Sequence, residues 1–111
     1  MNPIIVEIYI DPDGYNPFDE WFNGLKDSMI QDKILTRLDR VIKGNLGDWR
    51  PIKGLLDVIE LRFTHGSGYR IYCGKDGNRL IILLCGGDKR TQKKDIKKAG
   101  EYWNDYQQKN S

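Results

Sequence analysis

The segment from Val58 to Asp95, VIELRFTHGSGYRIYCGKDGNRLIILLCGGDKRTQKKD, constrains this chain more than any other part of it. Its β-branched, aromatic and apolar runs, Val58–Phe63, Tyr69–Cys73 and Arg79–Cys85, predict three consecutive strands. His65-Gly66-Ser67-Gly68 supplies the first turn and Asp76-Gly77 the signal for a tight hairpin. Gly86-Gly87 is expected to end the third strand, and Thr91 to cap a helix.

Alternation then sorts the side chains. Ile59, Leu61 and Phe63 share one face, while Glu60 and Arg62 take the other. In the next strand Ile71 is on the apolar side, with Arg70 and Tyr72 opposite. A turn centred on Gly66 sets Arg62 across from Arg70 and Glu60 across from Tyr72. Like charges directly opposite one another are unfavourable in a sheet. The pair therefore calls for a neutralising acid, which Glu60 can be, or for an anionic ligand such as a phosphate backbone.

The rest of the chain reads around this unit. Ile4–Ile10 predicts a strand, stopped by the turn Asp11-Pro12-Asp13-Gly14. Asn16 caps a short helix with Pro17 in its first position, and Phe18, Trp21, Phe22 and Leu25 form its apolar face. Ser28 to Gln31 fits a capping box for a second helix. That helix carries Ile30, Ile34, Leu38, Val41 and Ile42 on one side and Lys33, Arg37 and Arg40 as a solvated stripe on the other. Gly44 suits its left-handed cap, and Trp49–Leu55 reads as a connecting loop. A last helix runs from Thr91 to about Gln107, with Ile96, Ala99, Trp103 and Tyr106 packing inward. The order strand, helix, helix, three strands, helix predicts an α+β domain over 1–111. A twisted, mainly antiparallel sheet carries an N-terminal helical hairpin and a C-terminal helix.

Charge is distributed unevenly. Residues 1–55 carry 7 Lys/Arg against 9 Asp/Glu, whereas residues 56–111 carry 11 against 7. Six basic residues and one acid, Asp95, fall between Lys89 and Lys98. This predicts a basic face on a nearly neutral body. Lys93 and Lys94 at the start of a helix oppose its dipole, which suits a bound anion there. The N-terminus lacks the pattern of a signal peptide and the longest apolar run, Leu80–Cys85, is too short for a membrane span. A cytoplasmic protein with no membrane partner is expected. Cys73 and Cys85 are expected as buried thiols, and no Cys/His spacing suggests a metal.

Arg62, Arg70 and Lys89, with Glu60, Tyr72 and Gln92 as neighbours, are the residues best suited to chemistry. Cleavage of RNA by its own 2′-OH needs a proton removed, a charged phosphorane stabilised and a leaving oxygen protonated. Two guanidinium groups can clamp the phosphate, Lys89 can add a point charge, and Glu60 or Tyr72 can handle a proton. The three cations are expected to converge on a water-facing patch of strand. His65, alone in its turn, reads as an exposed residue. Tyr102, Trp103 and Tyr106 read as packing.

Several of these pieces occur together in a known group. Phe18-Asp19-Glu20-Trp21, Gly44-Asn45-Leu46-Gly47-Asp48, Glu60-Leu61-Arg62, Gly68-Tyr69-Arg70-Ile71-Tyr72 and Gly86-Gly87-Asp88-Lys89-Arg90-Thr91-Gln92 with Asp95-Ile96 follow one another in order. In this the chain resembles the RelE/ParE toxin superfamily, and within it the HigB-like, phage-related addiction module killer group. The resemblance implies a microbial ribonuclease-like fold with helices on one side of the sheet. It also implies the toxin of a type II toxin–antitoxin pair, a metal-independent and cofactor-free endoribonuclease that cuts mRNA on the ribosome. The same scaffold serves ParE-like gyrase inhibitors without nuclease activity. Arg62, Arg70 and Lys89 carry over as catalytic residues, with Glu60, Tyr72, Gln92, Lys93 and Lys94 as RNA contacts. A helix-turn-helix antitoxin, mRNA and the ribosome are the implied partners. Arg70→Ala and Lys89→Ala are expected to abolish toxicity with folding intact.

Overall fold

A computed structural model describes residues 3–110. The elements are β1 (Ile5–Ile8), α1 (Pro17–Asn23), α2 (Ser28–Ile42), β2 (Trp49–Pro51), β3 (Val58–Phe63), β4 (Tyr69–Asp76), β5 (Leu80–Asp88), a 3-10 turn (Lys89–Thr91) and α3 (Gln92–Lys109). They form one five-stranded sheet in the order β1-β5-β4-β3-β2. β1 lies parallel to β5, and every other neighbour is antiparallel. The α+β class and the mainly antiparallel sheet are as expected.

The local chemistry explains most boundaries. The Asn16 side chain accepts from Asp19 N at 3.0 Å and Pro17 opens α1. Gly44, at φ 96°, donates to Val41 O just past α2. The capping of α2 differs from expectation. Asp27 accepts from Met29 N at 2.9 Å, one residue before Ser28, because a carboxylate is the stronger acceptor for free helix amides. At the last helix Asp88 replaces Thr91 in this role. It accepts from Arg90 N at 2.9 Å and starts the 3-10 turn.

Two expectations about the sheet are corrected. Trp49–Pro51, read as loop, is an edge strand antiparallel to β3. It is too short to show alternation, and its proline is tolerated because the strand lies at the edge. β5 does not stop at Gly86-Gly87 but continues to Asp88. Those glycines give room for side chains. An added Cβ at Gly86 would meet the Trp21 ring at 2.3 Å, and one at Gly87 would meet the Asp95 carboxylate at 1.8 Å.

Helices cover both faces, not one. Ile59, Leu61, Phe63, Ile71, Cys73, Ile81 and Leu83 pack against Phe18, Ile30, Ile34 and Val41. On the other face Val58, Tyr72, Ile82 and Leu84 pack against Ala99 and Trp103 of α3. The continuous run Leu80–Leu84 reflects this, since a strand buried on both faces loses its alternation. Both cysteines are free and buried.

Candidate nucleic-acid interface

The register brings the two arginines together. Arg62 is the cross-strand partner of Arg70, and Arg70 in turn is the partner of Gly87. All three lie on the face that carries α3, at the end of the sheet beyond most of that helix. Each arginine holds one acid. Arg70 Nε donates to Glu60 Oε2 at 3.1 Å, and its Nη1 donates to Gly68 O at 3.1 Å. Arg62 Nε lies 3.5 Å from Asp48 Oδ2.

Gly68, at φ 81°, turns the chain from β3 into β4 where a side chain would be strained. A Cβ there would sit 3.7 Å from Arg70 Nη1 and 3.8 Å from Lys89 Cβ. The turn thus sets Arg70 and Lys89 on either side of a bare backbone. Lys89 is exposed and has no ion-pair partner among the described residues. Arg62 Nη1 and Nη2, Arg70 Nη2 and Lys89 Nζ are therefore donors without a protein acceptor among the described residues. Two carboxylates against three cations leave the cluster net positive.

The expected patch of open water is corrected at Glu60 and Tyr72. Glu60 is 5% exposed and Tyr72 is fully buried. They face each other one same-face row in from the arginines, where Tyr72 packs with Ala99 and Trp103 of α3 and Glu60 lies opposite Arg50 of β2. The Tyr72 hydroxyl has no hydrogen-bond partner among the described residues. Burial, with the nearby Glu60 charge second, pushes its pKa far up. It is a neutral phenol at physiological pH, and the buried Glu60 carboxylate is paired with Arg70.

The start of α3 forms the rim. Lys89, Arg90, Thr91, Gln92, Lys93 and Lys94 line a surface cavity of about 510 Å³. Lys93 and Lys94 are exposed and Gln92 is half-buried. Arg90 is turned back onto Asp88 at 2.9 Å. Asp95 lies over Gly87, where Thr91 Oγ1 donates to it. Burial raises its pKa.

Three residues escaped the sequence reading. Asp48 holds Arg62, Arg50 stands opposite Glu60, and Arg37 crosses from α2 to bind the Arg62 carbonyl oxygen at 2.7 Å. Recognising β2 as a strand would have revealed the first two. Among the described residues, no group of three or more His, Cys, Asp or Glu side chains is placed to hold a metal ion.

A family model described as phage derived protein Gp49-like (DUF891) matches residues 20–103, which include this whole site. The chain belongs to the Gp49-like phage-derived family. A relative, an uncharacterised protein of Haemophilus influenzae, is 48% identical over 83 residues, spanning 74% of this chain and 81% of its own. In fold, the Gp49-like chain matches the E. coli toxin RelE in the free state, in a variant with two arginines replaced by alanine. The TM-score is 0.56 at 14% identity, over 94% of each chain. The resemblance to the RelE/ParE superfamily is borne out in the fold, which is that of RelE.

Proposed function

We propose that this Gp49-like protein is the toxin of a type II toxin–antitoxin pair and an endoribonuclease acting on mRNA at the ribosome. The observation that carries this reading is the set of unsatisfied donors on Arg62, Arg70 and Lys89 around the bare Gly68 turn. A phosphodiester there accepts from both guanidinium groups, with the lysine as a third positive neighbour. The RNA 2′-oxygen bonds to phosphorus as it loses its proton. The bond from phosphorus to the 5′-oxygen breaks, and that oxygen gains a proton. Negative charge rises on the phosphoryl oxygens between these states, and fixed cations stabilise it most at that point. No metal is needed in this scheme, because the side chains supply the charge.

Gln92, Lys93 and Lys94 extend the donors along the start of α3. A cognate antitoxin, of helix-turn-helix type, restrains the toxin in the cytoplasm. None of the described helices is long and apolar enough to cross a membrane. The test is brief induction in cells followed by mapping of mRNA 5′ ends. Codon-phased breaks that vanish with Lys89→Ala are expected. Intact mRNA with DNA double-strand breaks would move the protein to the gyrase-directed branch of the same fold.

A further inference from the structure

Lys33, Arg37 and Arg40 lie on one side of α2 and line a groove of about 340 Å³ with Asp32, Thr36, Phe63 and Thr64. Lys33 and Arg40 are exposed, as expected of a solvated stripe, but Arg37 is half-buried. Just past α2, Lys43 pairs with Asp39 at 3.1 Å. None of the groove cations forms an ion pair among the described residues. Arg37 is half-buried with its guanidinium 4.4 Å from the centroid of the Phe63 ring, and its donors go to the backbone oxygens of Leu46, Asp48 and Arg62. Lys33 Nζ lies 3.1 Å from His65 Nδ1, a ring nitrogen. Arg40 is exposed with no ion-pair partner among the described residues. Three cations and two threonine hydroxyls line the groove with one acid, Asp32, while Asp27 holds the far side of the His65 ring at 2.8 Å and the Asp48 charge acts on Arg37.

Arg62 and Phe63 are successive residues on opposite faces of β3, so the groove and the guanidinium pair lie on either side of the same strand end. We propose that this groove is a second subsite, which holds the sugar–phosphate chain of the RNA beyond the phosphate engaged by Arg62 and Arg70. It rests on the ribonuclease reading and adds to it a path for the substrate around the end of the sheet. An acidic peptide shares the charge. A single extended polyanion touching both cation sets is favoured by Arg37, which lines the groove and binds the backbone oxygens of Arg62 and Asp48.

The test uses the full chain and a labelled 12-nucleotide RNA made uncleavable by 2′-O-methylation, read by fluorescence anisotropy. Lys33→Glu/Arg40→Glu alters only exposed side chains and spares Arg37, and a thermal melt checks its fold. The double variant is expected to bind at least tenfold more weakly at low salt. Its salt dependence should be shallower by about 1.4, since each phosphate of a single strand that a protein cation neutralises adds ~0.7 to the slope. Affinity and slope matching the parent protein would overturn the subsite. So would loss of binding to polyglutamate alone, which would assign the groove to an acidic peptide. These results are separable from failure of the ribonuclease reading, which shows as uncut mRNA after induction of the parent protein.

Discussion

Arg37 on α2 donates through Nη2 to the carbonyl oxygen of Arg62 at 2.7 Å, and so fixes the strand end that presents one half of the phosphate clamp. The same guanidinium reaches the Asp48 carbonyl oxygen at 3.3 Å, the backbone of the residue whose carboxylate holds Arg62. Arg37→Lys keeps the charge but removes the fork and its stacking on Phe63. It should lower stability by about 1.5–3 kcal/mol, the range for hydrogen bonds to a charged group. Urea denaturation checks this. A loss below ~0.5 kcal/mol would show that Arg37 does not hold the strand end.

Arg70 and Glu60 form the most buried ion pair of the described residues, with side chains 14% and 7% exposed. Arg70→Ala would strand the Glu60 carboxylate beneath α3, at a cost of about 3–5 kcal/mol. The burial of this pair thus predicts a cost to folding where the sequence alone led to the expectation of an intact fold. Glu60→Gln/Arg70→Met removes both charges and should recover most of that stability, yet mRNA cleavage should stay at least about 100-fold down. Equilibrium unfolding and 5′-end mapping on both variants decide it. A stable double variant that still cleaves would remove Arg70 from the chemistry.

The same pair shows how much was legible beforehand. Turn chemistry and alternation alone placed Arg62 opposite Arg70 and Glu60 opposite Tyr72, because period 2 and one short turn fix a hairpin register. They could not reveal burial. Glu60 and Tyr72 occupy positions that alternation labels polar, and only the packing of α3 over them makes them interior. β2 escaped because three residues carry no periodicity, and Asp48 and Arg50 escaped with it. Arg37 was read from helical spacing as an outward residue; its long side chain bends back to Phe63 and the strand end.

Gly74 and Gly87 test whether β-strand glycines seat α3. A methyl group at Gly74 would lie 2.1 Å from the Trp103 ring, and one at Gly87 would lie 1.8 Å from the Asp95 carboxylate. Gly74→Ala meets a rigid indole in the core and should cost about 1–3 kcal/mol as overpacking. Gly87→Ala meets a carboxylate on the first turn of α3, so it should displace the basic rim more than it unfolds the domain. Thermal melts should show the larger fall in Tm for Gly74→Ala. Hydrogen exchange should rise at residues 89–95 in Gly87→Ala. The reverse order would mean that Asp95 is the firmer seat.

Asp95 should leave a signature in the pH dependence of stability. Burial raises its folded-state pKa above the ordinary carboxylate value, against the opposing hydrogen bond from Thr91 and the charges of Lys94 and Lys98. Between the unfolded and folded values the native state binds the extra proton. Its contribution to stability therefore rises as pH falls through the raised value and levels off below the unfolded one. Asp27, Asp88 and Asp105 act in the opposite sense. Hydrogen bonds chiefly from His65, Arg90 and Tyr9 lower their pKa values, and their contribution is lost as pH falls through those lowered values. Subtracting the profile of Asp95→Asn from that of the parent protein isolates the first effect, since the other three groups cancel. The difference should grow in favour of the parent as the solution is acidified from neutrality toward pH ~4, the usual range for an unfolded carboxylate. A flat difference would mean that Asp95 ionises as freely as it would in water, and that α3 does not bury it against β5.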